Sequence, residues 1–220
     1  MNRFATVLLA SVIAPVMVSS ASAAVIYGDT ADARAYNNWG TTGVGNVTDT
    51  SITAGDQDYG NWNDYVSVFQ LPNEGAVSNP FSAATASFTL ESASGTSWVH
   101  LDLYALAARS SASVLTSDNG GGTNVGLSLS TSSTPGVKST SSANLLSFLN
   151  TQYAGGTGAG KYVFFAFRPT DVGSASYTFA TADSATEANR PTLSYTAVPE
   201  PASLGLLAAS ALFALRRRRH

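Results

Sequence analysis

Apolar and polar positions alternate through the middle of the chain. Over residues 85–91, Ala86, Phe88 and Leu90 point one way, while Thr85, Ser87, Thr89 and Glu91 point the other. That period belongs to a strand with one dry and one wet face. Over 98–106, Val99, Leu101 and Leu103 alternate with His100, Asp102 and Tyr104. Residues 65–71, 161–168, 175–179 and 192–197 add β-branched and aromatic runs that also predict strands. Val163, Phe164, Phe165, Ala166 and Phe167 are apolar on both faces, the mark of a central strand covered on both sides. Gly, Asn, Asp and Ser clusters at 117–124 and 154–160 read as turns. Only residues 143–153 carry helical spacing, through Leu145, Leu146, Leu149 and Tyr153. Many short strands with turn-rich joints predict an all-β fold, a β-sandwich or jelly roll.

The two ends break this pattern. Arg3 followed by the apolar run 4–18 and the small-residue site Ala21-Ser22-Ala23 reads as an export signal over residues 1–23, cut between Ala23 and Ala24. At the other end, Val198-Pro199-Glu200-Pro201 precedes an apolar stretch, 202–215, and the cluster Arg216, Arg217, Arg218 and Arg219. The stretch is short of the roughly 20 residues that cross a bilayer comfortably. Arginine stems that snorkel to the interface extend it to a transient anchor. The arginines hold their end in the cytoplasm and leave the main domain outside. Pro199 and Pro201 mark an extended spacer, since proline does not sit inside a helix. The expected architecture is therefore a β domain at 24–197, flanked by an N-terminal signal helix and a C-terminal hydrophobic helix within 198–220.

Motif, apolar span and basic cluster, in that order, closely resemble the PEP-CTERM sorting signal of Gram-negative bacteria. The resemblance implies that Pro199, Glu200 and Pro201 are recognised by a membrane-embedded, transpeptidase-like processing enzyme, exosortase. It implies cleavage near the motif, then release or transfer to the cell surface, in a setting usually linked to exopolysaccharide and biofilm. A second resemblance rests on Tyr65-Val66-Ser67-Val68-Phe69-Gln70-Leu71-Pro72, on 83–90, on Val99-His100-Leu101-Asp102-Leu103-Tyr104 and on Arg190-Pro191-Thr192-Leu193-Ser194-Tyr195. These look like the strand series of DNRLRE-type jelly-roll domains, extracellular modules of which some are similar to carbohydrate-binding modules. Gln70 stands where an acidic residue is common in that pattern, so the likeness carries fold and not ligand.

Charge sharpens the picture. The 220 residues contain no cysteine, 11 basic and 14 acidic side chains. Without cysteine there is no disulfide scaffold, thiol nucleophile or cysteine-bound zinc. Four of the basic residues lie in the tail and Arg3 in the signal, so residues 24–197 keep six bases against 13 acids, a net charge near −7. Such a domain stays soluble and does not attract nucleic acid.

Candidate chemistry is sparse. His100 and Asp102 would share one strand face, but no Gly-x-Ser-x-Gly elbow supplies a nucleophile, and they read as an exposed polar pair. The loop 55–64 is rich in oxygen ligands, and Asp56 and Asp58 open like a calcium loop. However, Gly60 occupies the fifth position and no Glu closes the site, so turn formation is the preferred account and calcium the lesser one. Trp39, Tyr59 and Trp62 lie in polar, loop-like sequence and could stack on sugar rings. The expectation is an exported, non-catalytic surface or matrix protein needing no cofactor, held in the inner membrane by its tail before processing. The alternative is a carbohydrate-binding module, with or without calcium. A polysaccharide-degrading enzyme ranks last, and no catalytic residue is assigned.

Overall fold

The computed structural model describes residues 23–57 and 60–198. The expected signal helix and C-terminal hydrophobic helix lie outside these described residues. Twelve strands and one α-helix follow in chain order: β1 (Ala23–Tyr27), β2 (Asp29–Asn38), β3 (Thr41–Gly45), β4 (Ser51–Gln57), β5 (Asn61–Gln70), β6 (Phe81–Gly95), β7 (Leu101–Arg109), β8 (Thr123–Leu129), β9 (Gly136–Thr140), α1 (Ala143–Tyr153), β10 (Tyr162–Pro169), β11 (Ala175–Ala180) and β12 (Thr192–Ala197). The fold is all-β, as the alternation predicts, and α1 spans the predicted residues.

All strand pairs are antiparallel. The order is β1-β12-β6-β11-β4-β5-β10-β7-β8, with β9 added to β6, β2 to β5, and β3 to β2. Curling of the sheet depends on β4, whose residues 51–54 pair with β11 while Gly55, Asp56 and Gln57 pair with β5. Gly55 sits at this corner with φ +135°, and a Cβ there would lie 2.1 Å from the Ala175 carbonyl oxygen. Only glycine lets the two backbones approach so closely.

The curl brings aromatic rings from both halves together. Phe167 of β10 stacks on Phe179 of β11 with centroids 4.3 Å apart and meets Phe88 of β6 edge-on at 4.9 Å. Helix α1 packs against β6 and β8. Its start is set by Ser142, whose Oγ accepts from the Leu145 N–H at 3.1 Å. Leu145, Phe148, Leu149 and Tyr153 face inward and join the same core.

The back of the sheet holds a second apolar cluster of Ala33, Ala35, Val66, Val68, Leu106, Val114, Phe164 and Ala166. Strand β10 thus buries Phe165 and Phe167 on one side and Phe164 and Ala166 on the other, the two-sided burial its sequence predicts. The segment after β7 supplies Val114 to this cluster, and two arginines fasten it. Arg109 lies over the Phe164 ring at 3.6 Å and pairs with Asp118 at 2.7 Å. Arg168 donates from Nε to Asp64 Oδ2 at 2.8 Å and from Nη2 to the Asp118 carbonyl at 2.9 Å.

Sequence and structure differ at β7. The predicted strand starts at Trp98, but the Val99 N–H bonds back to the Thr96 carbonyl at 3.2 Å and closes a turn, so the ladder begins only at Leu101. His100 therefore precedes the strand on which Asp102 sits. Strands β1 to β4 and β9 fall outside the predicted elements, as does β8, although Val125, Leu127 and Leu129 alternate along it.

Strand registers define two ends of the domain. Ala23 stands opposite Thr196, and Ala197 opposite Phe81, so the chain enters and leaves the domain side by side. At the far end of β6, Gly95 stands opposite Ala175. The same far end carries the β2–β3 turn, the start of β5, the turn before β7 and the connection from β10 to β11.

Candidate functional site

At the end away from the termini, two tryptophans are exposed on adjoining loops. Asn38 closes β2 opposite Thr41 of β3, so Trp39-Gly40 is a two-residue hairpin turn. Both residues take positive φ, 51° for Trp39 and 87° for Gly40. Such primed turns favour Asn, Asp or Gly at the first position, because a bulky side chain crowds the backbone there. Gly40 N–H donates to Asn37 Oδ1 at 3.0 Å, which supports the turn. Trp39 nevertheless leaves 73% of its surface in solvent.

Asp56 ties this region to its neighbour. It is fully buried on β4, and its Oδ1 accepts from Gly60 N–H at 2.8 Å while Oδ2 accepts from Gly173 N–H at 3.0 Å. A Cβ built on Gly60 would lie 3.4 Å from the Trp39 ring, and one on Gly173 would lie 3.4 Å from Trp98 Nε1. Trp98 donates Nε1–H to the Val172 carbonyl at 3.3 Å, yet its side chain is among the exposed apolar groups at 59%. Asp56 thus holds the two glycines against which Trp39 and Trp98 lie.

Of the sugar-stacking candidates, Trp39 stands at this surface. Trp62 is half-buried on β5, opposite Asn37 on one side and Asp56 on the other. Tyr59 and the second calcium candidate, Asp58, lie outside the described residues. Asp56 spends both carboxylate oxygens on backbone amides. Among the described residues no three His, Asp or Glu side chains gather as metal ligands. Trp98 was not singled out in the sequence because alternation placed it at the start of a strand. Gly95-Thr96-Ser97 immediately before it was the available turn signal.

His100 and Asp102 serve separate contacts. The His100 carbonyl accepts from the Thr170 N–H at 2.9 Å, and Asp102 Oδ2 accepts from Asn124 Nδ2 at 3.1 Å. Two other acids are shifted by their surroundings. Burial pushes the Asp32 carboxyl up to about 7, with the charges of Asp183 and Asp29 adding to it. Hydrogen bonds to Asp32 Oδ2 from Tyr65 Oη at 3.1 Å and Ala182 N–H at 2.9 Å oppose that rise. Burial also moves Asp64 up to about 6 against the pull of Arg168. Both carboxyls are interior groups that bind strands together. A cleft of about 540 Å³ beside α1, lined by Leu106, Thr123, Asn144, Ser147 and Gln152 among others, presents no titratable side chain.

Comparison with known families places the PEP-CTERM protein-sorting motif at residues 197–219. The chain carries that sorting signal, and the match begins at the last residue of β12 and includes Pro199, Glu200, Pro201 and Arg216 to Arg219. Such a signal implies recognition by an exosortase, export and sorting to the cell surface. No curated protein matches the chain.

Proposed function

We propose that this is an exported, non-catalytic surface or extracellular-matrix protein whose β domain, residues 24–197, is delivered through its C-terminal signal and works in association with exopolysaccharide. The observation that carries the reading is the sorting motif at 197–219, which follows the last strand without a linker. The domain's backbone pairing reaches that point, since the Val198 N–H donates to the Pro80 carbonyl at 2.7 Å. Pro199, Glu200 and Pro201 form the recognition element, and Arg216 to Arg219 hold the apolar span against the cytoplasmic face of the inner membrane until processing. Signal cleavage between Ala23 and Ala24 leaves Ala24 to Tyr27 to continue β1 on its partner β12.

The domain itself is a two-layer β-sandwich of jelly-roll kind, in line with the DNRLRE-like strand series. No cofactor enters the proposal, and Asp56 acts as a structural clamp rather than a calcium ligand. A carbohydrate-binding role is the second reading, favoured by the exposed tryptophan loops. Processing is tested by Glu200→Ala in the producing cells. The expected result is a larger, membrane-bound precursor, and wild-type size and fractionation would refute the exosortase assignment.

A further inference from the structure

We propose that Trp39 and Trp98 form a binding platform for an uncharged polysaccharide at the end of the domain opposite the two termini. The inference deepens the second reading above and rests on it for the setting outside the cell. Its first support is conformational. A Trp at φ 51° in a two-residue turn is less stable than Asn or Gly would be, and with 73% of its surface in water it recovers little by packing. Folding alone does not account for the residue. Strain kept at an exposed aromatic points to a ligand.

The second support is the connection between the loops. One buried carboxylate, Asp56, bonds at 2.8 and 3.0 Å to the Gly60 N–H, beside the Trp39 ring, and to the Gly173 N–H, beside Trp98 Nε1. The two indoles are therefore held on one braced surface rather than on independent loops, which lowers the ordering cost of binding.

The chemistry of the surroundings selects the occupant. No Lys or Arg occurs in residues 36–42, 56–63, 96–100 or 170–174, and the domain as a whole is near −7, so an anionic polymer meets no counter-charge. Among the described residues, the large exposed apolar groups of these turns are Trp39, Trp98 and Val172, and Thr41, Ser97, Thr170 and Ser174 on the same segments are exposed hydroxyl residues. A protein partner would be expected to meet a continuous apolar centre. A pyranose ring offers a flat C–H face to an indole and hydroxyls to a polar rim, the combination found here.

The test uses the protein recovered from its own cells and electrophoresis through gels containing hydroxyethyl cellulose, laminarin, dextran or the cells' own purified exopolysaccharide, with alginate as the anionic comparison. We expect retardation by at least one uncharged polymer and not by alginate. Trp39→Asn and Trp98→Ala should each weaken it roughly tenfold or more, the scale of a lost aromatic contact. Tyr27→Ala, exposed at the end of β1 opposite Thr192 of β12, should leave it unchanged. Thermal unfolding of each variant shows that the fold is intact. Migration unaffected by every uncharged polymer, or retardation that survives both tryptophan substitutions, overturns the proposal. So does a tryptophan-dependent dimer in sedimentation, because the surface would then be occupied by a second copy. Since binding is read on purified protein, its failure leaves the sorting assignment standing, and a failure of sorting leaves the binding result intact.

Discussion

At one end of the β domain Ala23 stands opposite Thr196 in a continuous ladder; at the other, Trp39 and Trp98 lie against two glycines, Gly60 and Gly173, held by a single buried carboxylate. The first end is backbone pairing between neighbouring strands, with one register shift between Thr196 and Ala197 against β6. The second departs from local preference, with a tryptophan at positive φ and two indoles in water. Where chain and local preference agree, stability is a sufficient explanation; where they disagree, a function outside folding is the economical one. The difference also assigns directions. Ala23 and Ala197 lie at the first end, and the tryptophan turns lie at the opposite end of β6.

The largest expected effect strikes the body that the two ends share. Phe167 contacts Phe88, Phe179 and Tyr65 across the core. Phe167→Ala should cost about 3–5 kcal/mol in denaturant unfolding, because its cavity opens between both halves of the curl. A loss below about 1 kcal/mol would mean that the halves do not share one core.

A smaller effect depends on pH. Asp32 titrates near 3.8 when unfolded and about 7 when folded, because burial disfavours its charge. The folded state thus holds its proton more tightly, and stability is highest below the unfolded value. It falls as pH rises from about 4 to about 7 and then levels off. Asp32→Asn should remove that fall, stabilising the protein by roughly 1–3 kcal/mol at about pH 8 and by little at about pH 4. Unfolding curves at the two pH values decide it, and an equal effect at both would place the carboxylate in a different balance.

The smallest effect separates the ends most cleanly. Trp39→Asn relieves the turn and should raise stability by about 0.5 kcal/mol, or roughly 1–2 °C in thermal midpoint. A destabilised variant would show that the indole serves packing after all.

How legible all this was in the sequence depends on what each element answers to. Strand β10 and helix α1 were readable because burial alone dictates them: five apolar residues in a row, and leucines at helical spacing. Strand β2 was not, since Arg34, Tyr36 and Asn38 occupy one of its faces and hide its period behind the alanines of the other. Strand β4 pairs with a different neighbour along each half, a role no local pattern records. The sorting motif needs no fold to be recognised, which is why it was visible in the sequence alone. Trp39 was visible as an aromatic in polar sequence, but its link to Trp98 runs through Asp56 and 117 residues of separation to Gly173. That link exists only once the sheet has curled.

The central claim, an exported β domain processed at both of its adjoining termini, is tested most directly by intact-mass spectrometry of the mature protein from its own cells. The account predicts a chain that begins at Ala24, ends near Pro199-Glu200-Pro201 and lacks Arg216 to Arg219. A mature chain that still carries residues 1–23 or runs through to His220 would contradict it.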